Sequence, residues 1–224
     1  LLSKDVTWVA PLAEKYKTPL ITPTATATKI VQDNDYVFRN TVTHEFVGKT
    51  LAEYAMLKSG LKRFVIFYPK DSYGLEMMKI LSEEVNRLGG EIIVSEAYPP
   101  DANDFGEQIK QVIQLDLARY GAMIPPDSPN TDQKPEYIPG FDGVFLLGDG
   151  LKMGLLASQL AFYDVKDRAL LVSHGGSLSE FLLAGSRFVE GAILVDGFFE
   201  GSTDPAVRSF VSRYQAKYQE SPDL

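Results

Sequence analysis

Three hydroxyls fall in one turn, Pro23-Thr24-Ala25-Thr26-Ala27-Thr28, directly after the short apolar run Pro19 to Thr22. Such a turn can offer hydroxyls and backbone N–H groups to a small polar ligand, or spend them on its own backbone. Tyr73, in Pro69-Lys70-Asp71-Ser72-Tyr73-Gly74, brings a stacking face and a hydroxyl, and suits either a ligand or packing over its turn. His44 and His174 both fall where a strand gives way to a helix, and Asp149 lies between two glycines after another strand. The chemistry within reach of these residues is grip rather than transformation. Carboxylates are plentiful, but none pairs with another as acid and base. The two histidines find no third ligand at a metal-binding spacing, so neither a metal nor a cofactor is expected.

Motifs that resemble catalytic signatures fail in their details. Gly148-Asp149-Gly150-Leu151-Lys152-Met153-Gly154 opens a helix after a strand, as a dinucleotide fingerprint does, but its third glycine is one place late. The strand after it ends in Ser173-His174, without the acidic residue that would hold a ribose. Gly48-Lys49-Thr50 falls inside a helix. Ser59-Gly60-Leu61-Lys62 ends one, and Gly175-Gly176-Ser177-Leu178-Ser179 lacks the last glycine of a nucleophile elbow.

The elements that position these residues alternate. Phe64 to Tyr68 is a continuous apolar run, suited to a strand covered on both faces. The helix after it carries Leu75, Met78, Leu81, Val85 and Leu88 at helical spacing and stops at Gly89-Gly90. Another strand, Glu91 to Ala97, follows at once, giving a right-handed crossover. The turn 69–74 then lies at the carboxyl end of a strand, the edge where open α/β sheets meet ligands.

The same rhythm predicts a first helix with Val6, Val9, Leu12, Ala13 and Tyr16 inward, kinked or restarted at Pro11. It predicts strands at 19–22 and 36–39 and a helix from about His44 to Ser59. A capping box is expected at Asp104-Phe105-Gly106-Glu107. Strands at 143–147, 169–173 and 192–195 follow, and the last helix is capped by Asp204-Pro205, with Val207, Phe210, Val211, Tyr214 and Tyr218 inward. The segment 116–140 breaks the pattern with its prolines and reads as a surface insertion and a possible partner contact. The fold class is therefore α/β, doubly wound, with mostly parallel sheets.

Composition narrows the partners. A net charge of -8 without a basic patch argues against nucleic acid. Apolar content of 45% is that of an ordinary globular protein, and no apolar run reaches the roughly eighteen residues that span a bilayer. With no cysteine there is no disulfide, thiolate site or thiol nucleophile. Leu1 is not methionine, so the chain is expected to be a piece of a longer one.

The ordered series PLITPTATATKI (19–30), YVFRNTVTHEFVGKTLAEY (36–54), RFVIFYPKDSYG (63–74), GGEIIVSEAYPPDANDF (89–105) and DPAVRSFVSRYQAKY (204–218) resembles the type I periplasmic solute-binding proteins. It is most similar to the branched-chain amino-acid (Leu/Ile/Val) receptors of ABC importers. The resemblance implies a periplasmic or lipoprotein-anchored receptor whose two lobes hinge about a cleft. Residues 46–196 would form lobe two, and 1–45 with 197–224 an incomplete lobe one. Thr24, Ala25 and Thr26 would hold an amino acid-like ligand, and Tyr73 would close over it. His44 and His174 stand where that family usually carries acidic residues, and a buried ammonium needs an anionic partner. The insertion and the run GLKMGLLASQLAFYDVKDRALLVSHGG (150–176) also resemble the periplasmic domains of penicillin-binding-protein activators. The two resemblances imply different partners, an ABC permease or a peptidoglycan synthase.

Overall fold

The structure, a computed structural model, describes residues 2–31, 34–124, 135–173 and 178–222. In chain order the elements are α1 Ser3–Tyr16, β1 Leu20–Thr22, β2 Val37–Arg39, α2 His44–Glu53, β3 Arg63–Pro69, α3 Ser72–Arg87, β4 Glu91–Tyr98, α4 Gly106–Leu117, β5 Ala122–Ile124, β6 Glu136–Ile138, β7 Gly143–Leu146, α5 Gly150–Phe162, β8 Ala169–Ser173, α6 Leu178–Gly185, β9 Ile193–Val195 and α7 Pro205–Tyr218.

Strand β3 explains the apolar run that encodes it. It sits inside a five-stranded parallel sheet of order β4-β3-β7-β8-β9, and successive side chains enter opposite cores. Val65 and Phe67 pack with Phe105, Ile109, Leu156 and Leu160 beneath α4 and α5. Phe64 and Ile66 pack with Leu51, Met77, Leu81 and Val85 beneath α2 and α3. The chain steps outward from β3 to β4 and returns to the other side of β3 as β7. Neighbouring connections thus diverge between β3 and β7, which is the switch point where doubly wound sheets open a crevice.

A second, two-stranded parallel sheet pairs β1 with β2. Its core is small, with Val6, Ala13, Ala25 and Val37 buried. Helix α1 continues through Pro11 as one element, without a restart. Thr7 and Pro11 are both exposed, so the carbonyl that the proline leaves unbonded has water for a partner. Only Val6 and Ala13 of the expected stripe are buried in α1; Leu12 and Tyr16 are exposed, as is Trp8. Helix α7 is capped as expected, Asp204 Oδ1 accepting from the N–H groups of Ala206 and Val207, yet none of its residues is buried.

Three further expectations shift. In α3 the buried face runs through Gly74, Met77, Leu81, Glu84 and Val85 and leaves Leu75 exposed; Arg87 pairs with Glu84, which lets that carboxylate go inside. The helix expected from about His44 to Ser59 is α-helical only to Glu53; a π-helical turn, Tyr54–Lys58, then moves the frame by a residue, with Met56 buried and Leu57 exposed. Phe105, with no side-chain cap, begins α4 in place of a capping box; Asp104 Oδ1 accepts from Gly106 N, and Gln159 Oε1 from Phe105 N.

The segment 116–140 is more regular than expected. Strands β5 and β6 form an antiparallel hairpin, and residues 125–134 lie outside the described residues. Fully buried Asp116 anchors it, accepting from Tyr137 Oη at 2.7 Å and Gly140 N at 2.8 Å.

Candidate functional site

Strand ends from the two parallel sheets meet at one cleft of about 870 Å³. The turn after β1 supplies Thr24 and Thr26, the end of β2 leads into His44, and the end of β3 supplies Asp71 and Tyr73. The end of β7 adds Gly148 and Asp149, and Asp196 follows β9. All are carboxyl ends of parallel strands, the edge on which α/β sheets present loops to ligands.

Each side chain is held for a local reason. His44 opens α2, whose amino end is capped by Thr43 Oγ1 accepting from Phe46 N at 3.0 Å. Its backbone N–H donates to Thr26 O at 3.0 Å and its Nε2 lies 2.8 Å from Thr26 Oγ1, so helix and turn are stitched twice. Arg39 fastens the turn from behind, donating to the carbonyls of Thr26, Ala27 and Thr28 at 3.4, 2.8 and 3.5 Å. Burial lowers the Arg39 pKa, against the attraction of Glu76.

Tyr73 rides on the first turn of α3, which Asp71 caps by accepting from Gly74 N at 2.8 Å. Gly74 is required there, because a Cβ would collide with the Pro69 carbonyl at the end of β3. The Tyr73 hydroxyl lies 2.7 Å from buried Ser173 Oγ at the end of β8, and Ser173 donates to Leu146 O at 3.4 Å. Burial is the main reason that the Tyr73 phenol is pushed up to about 12. Across the cleft Tyr98 donates to Leu147 O, and burial, then the Asp149 carboxylate, raises its pKa. Tyr98 abuts Gly148, whose φ of 148° and lack of a Cβ let the strand turn into α5.

Of the residues expected in the site, Thr24, Thr26, His44, Tyr73 and Asp149 line the cleft. Ala25 does not. Its side chain is fully buried in the small core and its N–H donates to Thr22 Oγ1 at 3.2 Å, so it is a packing residue. Asp149 lines the wall while one carboxylate oxygen caps α5 through Lys152 N at 2.9 Å. His174 lies outside the described residues.

Sequence reasoning missed Glu76. It reaches from α3 to the small sheet, taking the Thr28 N–H on Oε1 at 3.1 Å and facing His44 Nδ1 through Oε2 at 2.8 Å. Burial opposes its ionisation, but the hydrogen bonds from His44 and Thr28 outweigh burial and hold the carboxyl below its usual range. The available signal was its position three residues after Tyr73, on the same side of the helix. Ser173 was missed too; its signal was a hydroxyl ending an otherwise apolar strand.

The cleft carries both signs of charge, Arg39 and Lys152 against Asp71, Asp149 and Asp196. That mixture, with hydroxyls and an aromatic face, suits a small polar ligand bearing more than one functional group. Among the described residues no cluster of His, Asp or Glu could hold a metal ion, and no helix is long and apolar enough to cross a membrane.

Comparison with known proteins agrees with this geometry. No curated protein matches the chain. A leucine-binding protein of Thermotoga maritima superposes with a TM-score of 0.75 at 21% identity, covering 97% of this chain and 55% of its own. A branched-chain amino-acid transporter substrate-binding protein of Streptococcus pneumoniae, solved with isoleucine, gives 0.72 at 21% identity, covering 99% of this chain and 56% of its own. A solute-binding protein of Rhodopseudomonas palustris in complex with 3,4-dihydroxybenzoic acid gives 0.66 at 18%, covering 99% and 55%. The chain thus spans about half the length of these solved relatives. All three are solute-binding proteins, and a synthase-binding role has no counterpart among them. A family model described as periplasmic binding protein matches residues 2–224, and the chain belongs to that family.

Proposed function

We propose that this chain is part of an extracytoplasmic solute receptor for ABC-type import, capturing a small, amino acid-like ligand in the cleft between its two parallel sheets. The carrying observation is that His44 touches Thr26 on one side and Tyr73 on the other, joining the two expected halves of a binding site. Residues 1–45 and 197–224 belong to lobe one and 46–196 to lobe two on this reading, which gives the uncovered apolar residues of α1 a place inside a larger lobe. Ligand capture would draw the lobes together and shift a population of open forms.

The ligands named for two of the relatives, isoleucine and 3,4-dihydroxybenzoic acid, share a carboxylate and differ in the donor groups that accompany it. A thermal-shift screen with L-amino acids and hydroxybenzoates tests the reading. A ligand that binds only the native form raises the melting temperature with concentration, and no shift with any of them would count against it.

Thr26, His44 and Glu76 also share the hydroxyl, imidazole and carboxylate order of nucleophilic triads. Hydrolysis of p-nitrophenyl esters that disappears in Thr26→Val would favour an enzyme, whereas the receptor reading predicts no such turnover.

A further inference from the structure

The chain Thr26, His44, Glu76 admits one arrangement of protons when the imidazole is neutral. Both Glu76 oxygens are engaged, one by the Thr28 N–H and one by His44 Nδ1. An ionised carboxylate only accepts, so Nδ1 carries the hydrogen. The neutral ring then has a lone pair at Nε2, and the Thr26 hydroxyl, 2.8 Å away, must donate to it. With its hydrogen committed, Thr26 Oγ1 turns only lone pairs to the cleft.

We propose that Glu76 is a positioning residue for ligand capture: acting through His44, it fixes Thr26 as a hydrogen-bond acceptor, so the cleft takes a ligand N–H or O–H donor at that point and not a carboxylate. This rests on the solute-receptor reading of the same cleft. The donor is an ammonium in an amino acid and a hydroxyl in a phenolic acid; the recognition chemistry is shared. The other groups near His44 leave this arrangement intact. Arg39, from β2, donates to backbone carbonyls of the turn, and Tyr73, from α3, meets the imidazole edge on at 5.0 Å. Glu45 on α2 pairs with Lys49 at 2.6 Å. Asp71 and Asp149 cap their own helices, Lys152 donates to Asn103 Oδ1, and Asp196 completes the charged lining.

Glu76→Gln reverses the polarity without changing size. An amide has one accepting oxygen and one donating nitrogen. The Thr28 N–H takes the oxygen, so the nitrogen faces His44 Nδ1 and the ring hydrogen moves to Nε2. That hydrogen donates to Thr26, whose own hydroxyl hydrogen then points into the cleft.

The test is long-range proton–nitrogen NMR of the histidine-labelled full chain at about pH 8, where an ordinary imidazole is neutral. The His44 signal is identified by its loss in His44→Gln. Wild type is expected to show the Nδ1–H tautomer and Glu76→Gln the Nε2–H tautomer. In parallel, both proteins are titrated with L-isoleucine, 3-methylpentanoate, which is the same acid without its amine, and 3,4-dihydroxybenzoate. Wild type is expected to favour a donor-bearing probe over 3-methylpentanoate by about tenfold, and Glu76→Gln to lose that preference. Isoleucine or dihydroxybenzoate as the preferred probe separates ammonium from phenol. An Nε2–H tautomer in wild type, or a tautomer and probe preference unchanged in Glu76→Gln, would overturn the proposal. The expected tautomers with no probe bound would leave Glu76's control of Thr26 standing and count against the receptor reading instead.

Discussion

The rings of His44 and Tyr73 meet edge to face, 5.0 Å between centroids and 71° between planes. His44 is stitched to the turn after β1 and Tyr73 is tied to the end of β8, so this contact joins the small sheet to the far side of the large one. Neither ring is held by the contact alone. Each is already oriented through its polar atoms, as pre-organised recognition requires.

Tyr73 and Ser173 are expected to be energetically coupled. Tyr73→Phe removes the hydroxyl and leaves the ring, Ser173→Ala removes the partner, and a double-mutant cycle read by urea denaturation should give a coupling of about 1 kcal/mol. Additive effects would mean that the 2.7 Å contact contributes nothing.

Asp116→Ala is expected to release the β5–β6 hairpin while sparing the large sheet. It strands the buried Tyr137 hydroxyl, at about 1–3 kcal/mol for a buried donor left unpaired, and the half-buried Gly140 N–H, which costs less. Hydrogen exchange should accelerate at 122–124 and 136–138, with β3 and β7 still protected. Equal acceleration in all of these strands would show that the hairpin is integral to the sheet.

Stability is expected to fall at both ends of the pH range, for different reasons. The Glu76 carboxyl titrates lower folded than unfolded, so its contribution is present above the ordinary carboxylate range and is lost as pH falls through its depressed value. The Tyr73 phenol is raised to about 12, so its contribution is present below the ordinary tyrosine value of about 10 and is lost as pH rises toward 12. Denaturation across a pH series should show the acid limb flattened in Glu76→Gln and the alkaline limb flattened in Tyr73→Phe. Limbs that match wild type would contradict these assignments.

Much of this arrangement is legible in the residues, and the failures share a cause. The β3-α3-β4 unit follows from a doubly covered strand, an amphipathic helix and Gly89 with its φ of 79°. Thr26, His44 and Tyr73 come from asking which polar side chains stand at strand ends, a question that needs only the order of elements. What escapes is mostly pairing between distant residues. Asp116 goes inside because Tyr137 and Gly140 satisfy it, and Glu76 becomes a site residue only when α3 lies against the Thr26 turn. The spacing on α1 turns Leu12 and Tyr16 toward one apolar face, but spacing does not show whether a neighbour covers that face, and both are exposed.

The central claim is that the cleft holds a small polar ligand through Thr26 and Tyr73. Calorimetric titration of the full chain and of Thr26→Val and Tyr73→Ala, using L-isoleucine and 3,4-dihydroxybenzoate, tests it most directly. The account predicts saturable binding of at least one compound to the wild-type chain, weakened about tenfold or more in each variant. Flat heats for the unmutated protein, or binding that both variants retain at full strength, would contradict it.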